Sequence, residues 1–146
     1  MLNFKTKIGN FDYLRASSCY VRMKVFVFER NLNIEDEFDS NDRESTIYSV
    51  IFKGNQPVST ARLLPIDKEM ARITRVATLK EYRGEKLGSE NIDSLEKIAK
   101  KRNFSKILIH SEVTAVKFYE KNGYVLNSSI YKEDGVDCVS LVKNIK

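Results

Sequence analysis

The amino-acid sequence predicts an α/β (α+β) fold in which one mixed sheet carries helices on its faces. Segments rich in β-branched and aromatic residues alternate with longer segments whose apolar residues recur at helical spacing. Short turns that contain glycine or asparagine separate neighbouring strand segments. The resulting order of elements, β-α-β-β-β-α-β-α-β-β, is typical of a sheet flanked by helices.

The predicted elements follow one another without a linker or an internal repeat. The seven predicted strands are 2–8, 47–53, 57–64, 71–78, 106–110, 124–131 and 137–144. The first helix is expected at 12–28, and the residues near one of its faces are Tyr13, Ser17, Tyr20, Val21 and Phe28. A longer helix follows the 83–88 loop and ends near residue 102, and a third spans 114–122. The acidic stretch 31–44 is expected to be a loop that can hold one helical turn.

Length and composition indicate one globular domain. The chain has 146 residues, of which 42% are hydrophobic and 31% are charged. No segment approaches the roughly 20 apolar residues of a membrane helix, and residues 1–9 lack the apolar core of a signal peptide. We therefore expect a cytoplasmic protein that has no membrane partner. Cys19 and Cys138 are expected to be free thiols, and the single histidine, His110, excludes a metal site built from several histidines.

The formal net charge of +5 leaves the class of anionic partner open. Acidic residues concentrate in the 35–44 stretch and basic residues in the 80–106 stretch, so the chain is electrically divided. No stripe of alternating basic and aromatic residues accompanies the charge. We therefore expect no nucleic-acid partner and consider a phosphorylated cofactor instead.

Residues 74–88 carry the most informative pattern, a strand followed by a glycine-bearing loop and the start of a helix. The first turn of a helix presents unpaired N–H groups and the positive end of its dipole. Glycine also lets the backbone approach a phosphate closely. The pattern predicts a site where backbone N–H groups bind an anion such as a pyrophosphate. The alternative is a strand-to-helix connection with a glycine at the start of the helix and no ligand.

Two motifs resemble the GNAT-type N-acyltransferase superfamily. Arg83-Gly84-x-x-Leu87-Gly88 resembles its acetyl-CoA motif, and the stretch 115–124, with Phe118-Tyr119 before Gly123-Tyr124, resembles its second signature. The 25–30 segment, Val-Phe-Val-Phe-Glu-Arg, resembles the ElaA-like branch, and the likeness covers nearly the whole chain. Arg30 and Cys138 depart from that branch, where glutamine and histidine are common. The identity of the amine that accepts the acyl group therefore cannot be inferred from that branch.

The resemblance implies a mostly antiparallel sheet and acetyl-CoA as the acyl donor. The residues it assigns to cofactor binding are Val76, Ala77, Thr78, Arg83, Gly84, Glu85, Lys86, Leu87, Gly88, Ser89 and Phe118. The strand would pair with the pantetheine amides, and the loop would hold the pyrophosphate. Lys86 stands where most of the superfamily has glycine, and a lysine is expected to be tolerable there only with ordinary backbone angles.

The resemblance also implies catalytic roles. Tyr119 is the expected proton donor to the leaving thiolate. The base that deprotonates the attacking amine is left open between Glu29, His110, Glu112 and water. Arg22 could hold a substrate carboxylate, bind an internal acid or lie on the surface.

The function implied is acetyl-CoA-dependent N-acetylation of a primary amine of a small molecule or a peptide. The alternative is a degenerate CoA-binding regulatory module that keeps the fold without turnover. Tyr119 weighs against this alternative, because a binding module needs no thiolate acid. A homodimer is expected only by analogy with such enzymes.

Overall fold

The strands and helices occur in the predicted order along the chain. The computed structural model describes residues 3–146, so Leu2 of the predicted first strand lies outside the described residues. The strands are β1 (Phe4–Gly9), β2 (Ile47–Lys53), β3 (Gln56–Pro65), β4 (Met70–Thr78), β5 (Lys106–Glu112), β6 (Val125–Leu126), β7 (Tyr131–Glu133) and β8 (Val136–Asn144). The helices are α1 (Asp12–Arg22), α2 (Ile34–Glu37), α3 (Leu87–Lys101) and α4 (Val116–Lys121). Single 3₁₀ turns lie at Lys80–Tyr82 and Val113–Ala115.

The described strands form one sheet in the order β1-β2-β3-β4-β5-β8-β6, with β7 paired to β8. Every described strand pair is antiparallel except β4 with β5. The α+β fold with a mostly antiparallel sheet is thus confirmed. The sheet has eight strands in the described residues instead of about seven, because the predicted strand 124–131 is divided into β6 and β7. Between β6 and β7, the backbone N–H of Ser140 on β8 donates to the side-chain Oγ of Ser128 at 2.9 Å. This side-chain contact takes the place of a hydrogen bond to a backbone carbonyl.

Helix α1 buries a face that shares only Val21 with the expected one. Its buried residues are Leu14, Ser18, Val21 and Arg22. Tyr13, Tyr20 and Phe28 of the predicted face are exposed, Phe28 by 70%. The expectation was wrong because part of the true interface is polar. Ser18 Oγ accepts a hydrogen bond from Thr60 Oγ1 on β3 at 2.8 Å, and this contact leaves no apolar signature in the sequence.

The end of the predicted first helix is a π-helical segment, Met23–Glu29, and not a continuation of the α-helix. Its wider turn is closed by Arg30 N, which donates to the carbonyl of Val25 at 3.1 Å. Such segments are often found at functional sites. Here the segment keeps Val25 buried while Phe26 and Arg30 line a cavity on the sheet.

The main core lies between α3 and the sheet. Ile92, Leu95 and Ala99 of α3 pack on buried residues of β4, β5 and β8, which include Ile73, Ile107, Ile109 and Leu141. Burial of each leucine or isoleucine side chain in this core contributes about 1.5–3 kcal/mol. Within residues 3–146, no helix is long and apolar enough to cross a membrane.

Candidate active site

A cleft opens in the sheet where β4 and β5 part. Their parallel register runs only from Met70 with Lys106 to Arg72 with Leu108. Further along β4, the register with β3 shifts between Thr60 and Arg62, and Arg75 takes a left-handed backbone with φ of 57°. A bulge of this kind bends its strand and turns the following side chains. Two cavities lie against this part of β4.

The larger cavity, of about 830 Å³, brings together almost all of the residues predicted to bind the cofactor. Its lining includes Val76, Ala77, Thr78, Arg83, Gly84, Lys86, Leu87, Gly88, Ser89 and Phe118, but not Glu85. The start of α3 contributes the positive end of a long helix. Lys121 adds another cation from the end of α4. The cavity therefore combines an apolar wall with a positively charged end.

The loop before α3 has two residues with positive φ. Gly84 has φ of 87°, which favours glycine. Lys86 has φ of 61° and ψ of 25°, so the expectation of ordinary backbone angles was wrong. A non-glycine residue in this left-handed region costs about 1–2 kcal/mol. Gly88 serves packing, because a Cβ there would lie 3.1 Å from Phe118 Cζ.

The second cavity, of about 340 Å³, lies on the other side of the bulge, and we call it the acceptor-side cavity. Its walls come from the π-helical end of the first helix, from the acidic loop, from β4 and β5, and from the β7–β8 hairpin. The polar residues that line it are Arg30, Glu37, Arg72, Thr74, Arg75, His110, Ser111, Glu112, Glu133, Asp134 and Cys138.

Tyr119 lies where the two cavities meet. Together with Val76 and Ala115, it lines both of them. Its ring packs edge-on against Phe118, with centroids 5.0 Å apart. Burial and the nearby Glu112 carboxylate raise the pKa of Tyr119 to about 12. The phenol therefore keeps its proton at neutral pH.

His110 and Glu112 lie on the same face of β5 and both line the acceptor-side cavity. Burial and the neighbouring Arg72 lower the pKa of His110, while Glu133 opposes this shift. The imidazole is therefore neutral at pH 7 and can accept a proton. Glu112 accepts a hydrogen bond from Arg30 Nη2 at 2.8 Å, so its carboxylate is held in an ion pair.

Glu29 is separated from this group. Its carboxylate binds the Arg83 guanidinium through two contacts of 2.7 Å. The hydrogen bonds from Arg83 lower the pKa of Glu29. Glu29 lines a small surface pocket with Phe28 and Lys80, and it does not line the acceptor-side cavity. The structure thus brings Tyr119 and His110 to one cavity and leaves Glu29 outside it, paired with Arg83.

The sequence is similar to those of known acetyltransferases. Residues 14–124 match the model of the acetyltransferase (GNAT) family. The chain belongs to the acetyltransferase (GNAT) family. An uncharacterised acetyltransferase of Streptococcus pyogenes is 44% identical over 110 residues, which cover 75% of each chain.

Solved structures of the GNAT fold match over almost the whole length. A candidate N-acetyltransferase from Lactobacillus plantarum is 34% identical with a TM-score of 0.93, covering 98% of this chain and 99% of its own. ElaA from Escherichia coli shares the fold, with a TM-score of 0.82 at 22% identity, and the match covers 99% of this chain and 100% of ElaA. The resemblance to the GNAT superfamily is confirmed, and with it the assignment as an acyltransferase.

Arg22 of this GNAT protein binds internal acids, one of the three roles left open. Its side chain is fully buried, and its Nε donates to Glu37 Oε2 at 2.9 Å. Its two Nη atoms donate to Asp42 at 2.7 and 2.8 Å. Asp42 also accepts a hydrogen bond from Tyr48 at 2.6 Å. This network fixes the acidic loop against α1 and β2, so the loop forms a wall of the site.

Sequence reasoning missed Arg72. Within its strand, the sequence assigned a binding role only to the backbone of the later residues 76–78. The available signal was a charged side chain between the apolar Ala71 and Ile73, inside a segment predicted to be a strand. Ala71 and Ile73 face the core, and Arg72 points to the opposite side and lines the acceptor-side cavity.

Proposed function

We propose that this protein is an acetyl-CoA-dependent N-acetyltransferase that acetylates a primary amine of a small molecule or a peptide. The observation that carries the proposal is the position of Tyr119 at the junction of the two cavities. Transfer between two substrates needs both to reach one point from opposite sides, with their reacting atoms held close together. Tyr119, Val76 and Ala115 line such a junction.

The larger cavity fits the donor. Its positively charged end combines Arg83, Lys86 and Lys121 with the first turn of α3, and this combination suits a pyrophosphate. Val76 and Thr78 lie beyond the point where β4 is paired with β5, which favours an added strand-like ligand such as pantetheine. Bound there, acetyl-CoA supplies the acetyl group as an activated thioester.

Tyr119 would provide the proton that the leaving sulfur requires. In the reaction, the amine nitrogen bonds to the acetyl carbon and the carbon–sulfur bond breaks. One proton leaves the amine and one reaches the sulfur. The Tyr119 phenol is protonated at neutral pH, so it can donate a hydrogen bond or a proton at this position.

We assign the base role to His110, acting directly or through a water molecule. It lines the acceptor-side cavity together with Tyr119, and its lowered pKa keeps it neutral. Glu112 is a weaker candidate because Arg30 holds it in an ion pair. Glu29 is a weaker one still, since it is bound by Arg83 outside this cavity.

Two measurements on the purified protein test the proposal. Calorimetry with CoA reports donor binding, and thiol release from acetyl-CoA reports turnover with amino acids, polyamines, amino sugars and peptide N-termini. We expect CoA binding together with turnover on at least one class of amine. Binding without turnover on any amine would favour the regulatory module, and absence of CoA binding would reject both functions.

A further inference from the structure

Arg72 is a cation of the acceptor-side cavity that forms no ion pair with any residue the structure describes. The two other arginines that line the cavity are paired: Arg30 lies 2.8 Å from Glu112, and Arg75 lies 2.9 Å from Glu37. Within residues 3–146, Arg72 forms no ion pair, and its buried Nε has no hydrogen-bond partner. A buried N–H group without a partner is uncommon in folded proteins and costs about 1–3 kcal/mol.

The position of Arg72 in the sheet directs it to the site. It is the last residue of β4 in register with β5, opposite Leu108, and therefore lies where the cleft begins. His110 lies two residues further along β5, on the same face. Tyr131 packs edge-on against His110 with ring centroids 6.2 Å apart, and its buried hydroxyl also lacks a partner among the described residues. Two donors without acceptors thus lie close to the proposed base.

Negative charge is also present in the cavity. Glu133 and Asp134 of the β7–β8 hairpin line it, and within the described part of the chain neither forms an ion pair. Glu133 is the acid whose charge acts most strongly on Arg72, yet it does not pair with it. The cavity therefore presents unpaired charges of both signs, an arrangement that complements a zwitterion.

We propose that the amine acetylated in this cavity belongs to an amino acid, and that Arg72 binds its carboxylate. The inference rests on the proposed N-acetyltransferase function and specifies its acceptor. A guanidinium is the cation best suited to this role, because its planar N–H groups match the two oxygens of a carboxylate. The carboxylate would supply the counter-ion that Arg72 lacks, while Glu133 and Asp134 would attract the protonated amine before it reaches His110.

The test compares amines that differ only in the carboxylate. Glycine, β-alanine and γ-aminobutyrate are each assayed beside their own carboxamide, with the wild type, Arg72→Gln and Arg72→Lys. In the wild type we expect a kcat/KM about 10- to 100-fold higher for at least one acid than for its amide, the range of a charge-assisted hydrogen bond. A carboxamide lowers the pKa of an α-amine, so without recognition of the carboxylate glycinamide would be the better substrate.

The Arg72 variants test whether this side chain causes the preference for the acid. Arg72→Gln should lose the preference for the acid mainly through KM, and Arg72→Lys should recover part of it. Arg15→Gln removes the charge of an α1 arginine that pairs with Asp12 and does not line the cavity, so it should retain the full preference. A wild type that does not prefer any acid, or an Arg72→Gln variant that keeps the preference, overturns the inference.

Binding measurements separate this inference from the proposed function. The acids and the amides are titrated onto the wild type in the presence of CoA, which requires no turnover. Tighter binding of an acid, with no acetylation of any amine, would support the Arg72 site and reject the N-acetyltransferase function. Acetylation of amines with equal binding of acid and amide would reject the Arg72 site alone.

Discussion

Arg83 and Glu29 form a two-point ion pair beside the larger cavity, which Arg83 lines and Glu29 does not. Nη1 lies 2.7 Å from Oε2 and Nη2 lies 2.7 Å from Oε1, and the Nε of the same guanidinium donates to the carbonyl of Thr78 at 3.0 Å. All three nitrogens of Arg83 are therefore engaged. The pair fixes the arginine beside the glycine-bearing loop and holds Glu29 in its ionised form.

Replacement of Glu29 should act on the donor and not on the base. In Glu29→Gln, Arg83 loses its counter-ion, so we expect CoA to bind several-fold more tightly. The acidic limb of the kcat profile should keep its position. Stability should change little, because exposed ion pairs contribute little. Calorimetry with CoA and a kcat–pH profile provide the measurements.

The matched variant is Arg83→Gln, which removes the other half of the pair and should weaken CoA binding. A kcat of Glu29→Gln that falls progressively further below wild type as the pH decreases would return Glu29 to the role of base.

The ion pair between Glu29 and Arg83 could not be predicted from the sequence. The motif at 83–88 and the order of the elements could be recognised, because local patterns and short spacings carry them. Glu29 and Arg83 are 54 residues apart, and nothing in either segment indicates that they meet. The same holds for Arg72, whose importance comes from the absence of a partner. The cytoplasmic location and a homodimer stay predictions.

The network around Arg22 should determine stability and acid sensitivity. Burial opposes ionisation of Asp42, but hydrogen bonds from Arg22 and Tyr48 hold its pKa well below the ordinary value of 3.8. A carboxyl group whose folded pKa is lowered stabilises the fold above its unfolded pKa, and this contribution is lost as the pH falls below it. Asp42→Asn should therefore lower the free energy of unfolding by about 3 kcal/mol at pH 7, because Arg22 is left buried without part of its counter-charge.

The measurement is urea unfolding at pH 7 and at pH 3, where the difference between Asp42→Asn and wild type should shrink. Asp93→Asn removes a carboxylate from an exposed pair with Lys97 and should leave both values unchanged. A pH-independent loss of stability in Asp42→Asn would mean that packing, and not charge, explains the role of Asp42.

His110 should set the acidic limb of turnover. Because burial and Arg72 lower its pKa below 6.5, the imidazole gains its proton only in acidic solution, and kcat should rise with pH through a midpoint below 6.5. His110→Asn should lower kcat by about 10²–10⁴ and abolish this limb. Glu112→Gln should keep the limb. A wild-type midpoint at pH 8 or above would instead assign the limb to the amine itself.

Tyr119→Phe tests the proposed acid most directly, because the variant keeps the ring and its contact with Phe118. Within the described residues, the pKa of Tyr119 responds to burial and to Glu112 but to no hydrogen bond, so removal of the hydroxyl should cost little stability. If the phenol protonates the leaving sulfur, kcat should fall by about 10²–10⁴, while CoA affinity changes far less. A pKa of about 12 also means that loss of the phenol proton should not limit the wild-type rate below pH 11.

Tyr124→Phe is the matched control. It deletes a hydroxyl that donates to Glu96 at 2.7 Å, so it should lower stability by about 1 kcal/mol and leave turnover intact. Thiol release, CoA calorimetry and thermal unfolding on the same samples decide the question, and a kcat for Tyr119→Phe within threefold of wild type would remove the phenol from the reaction.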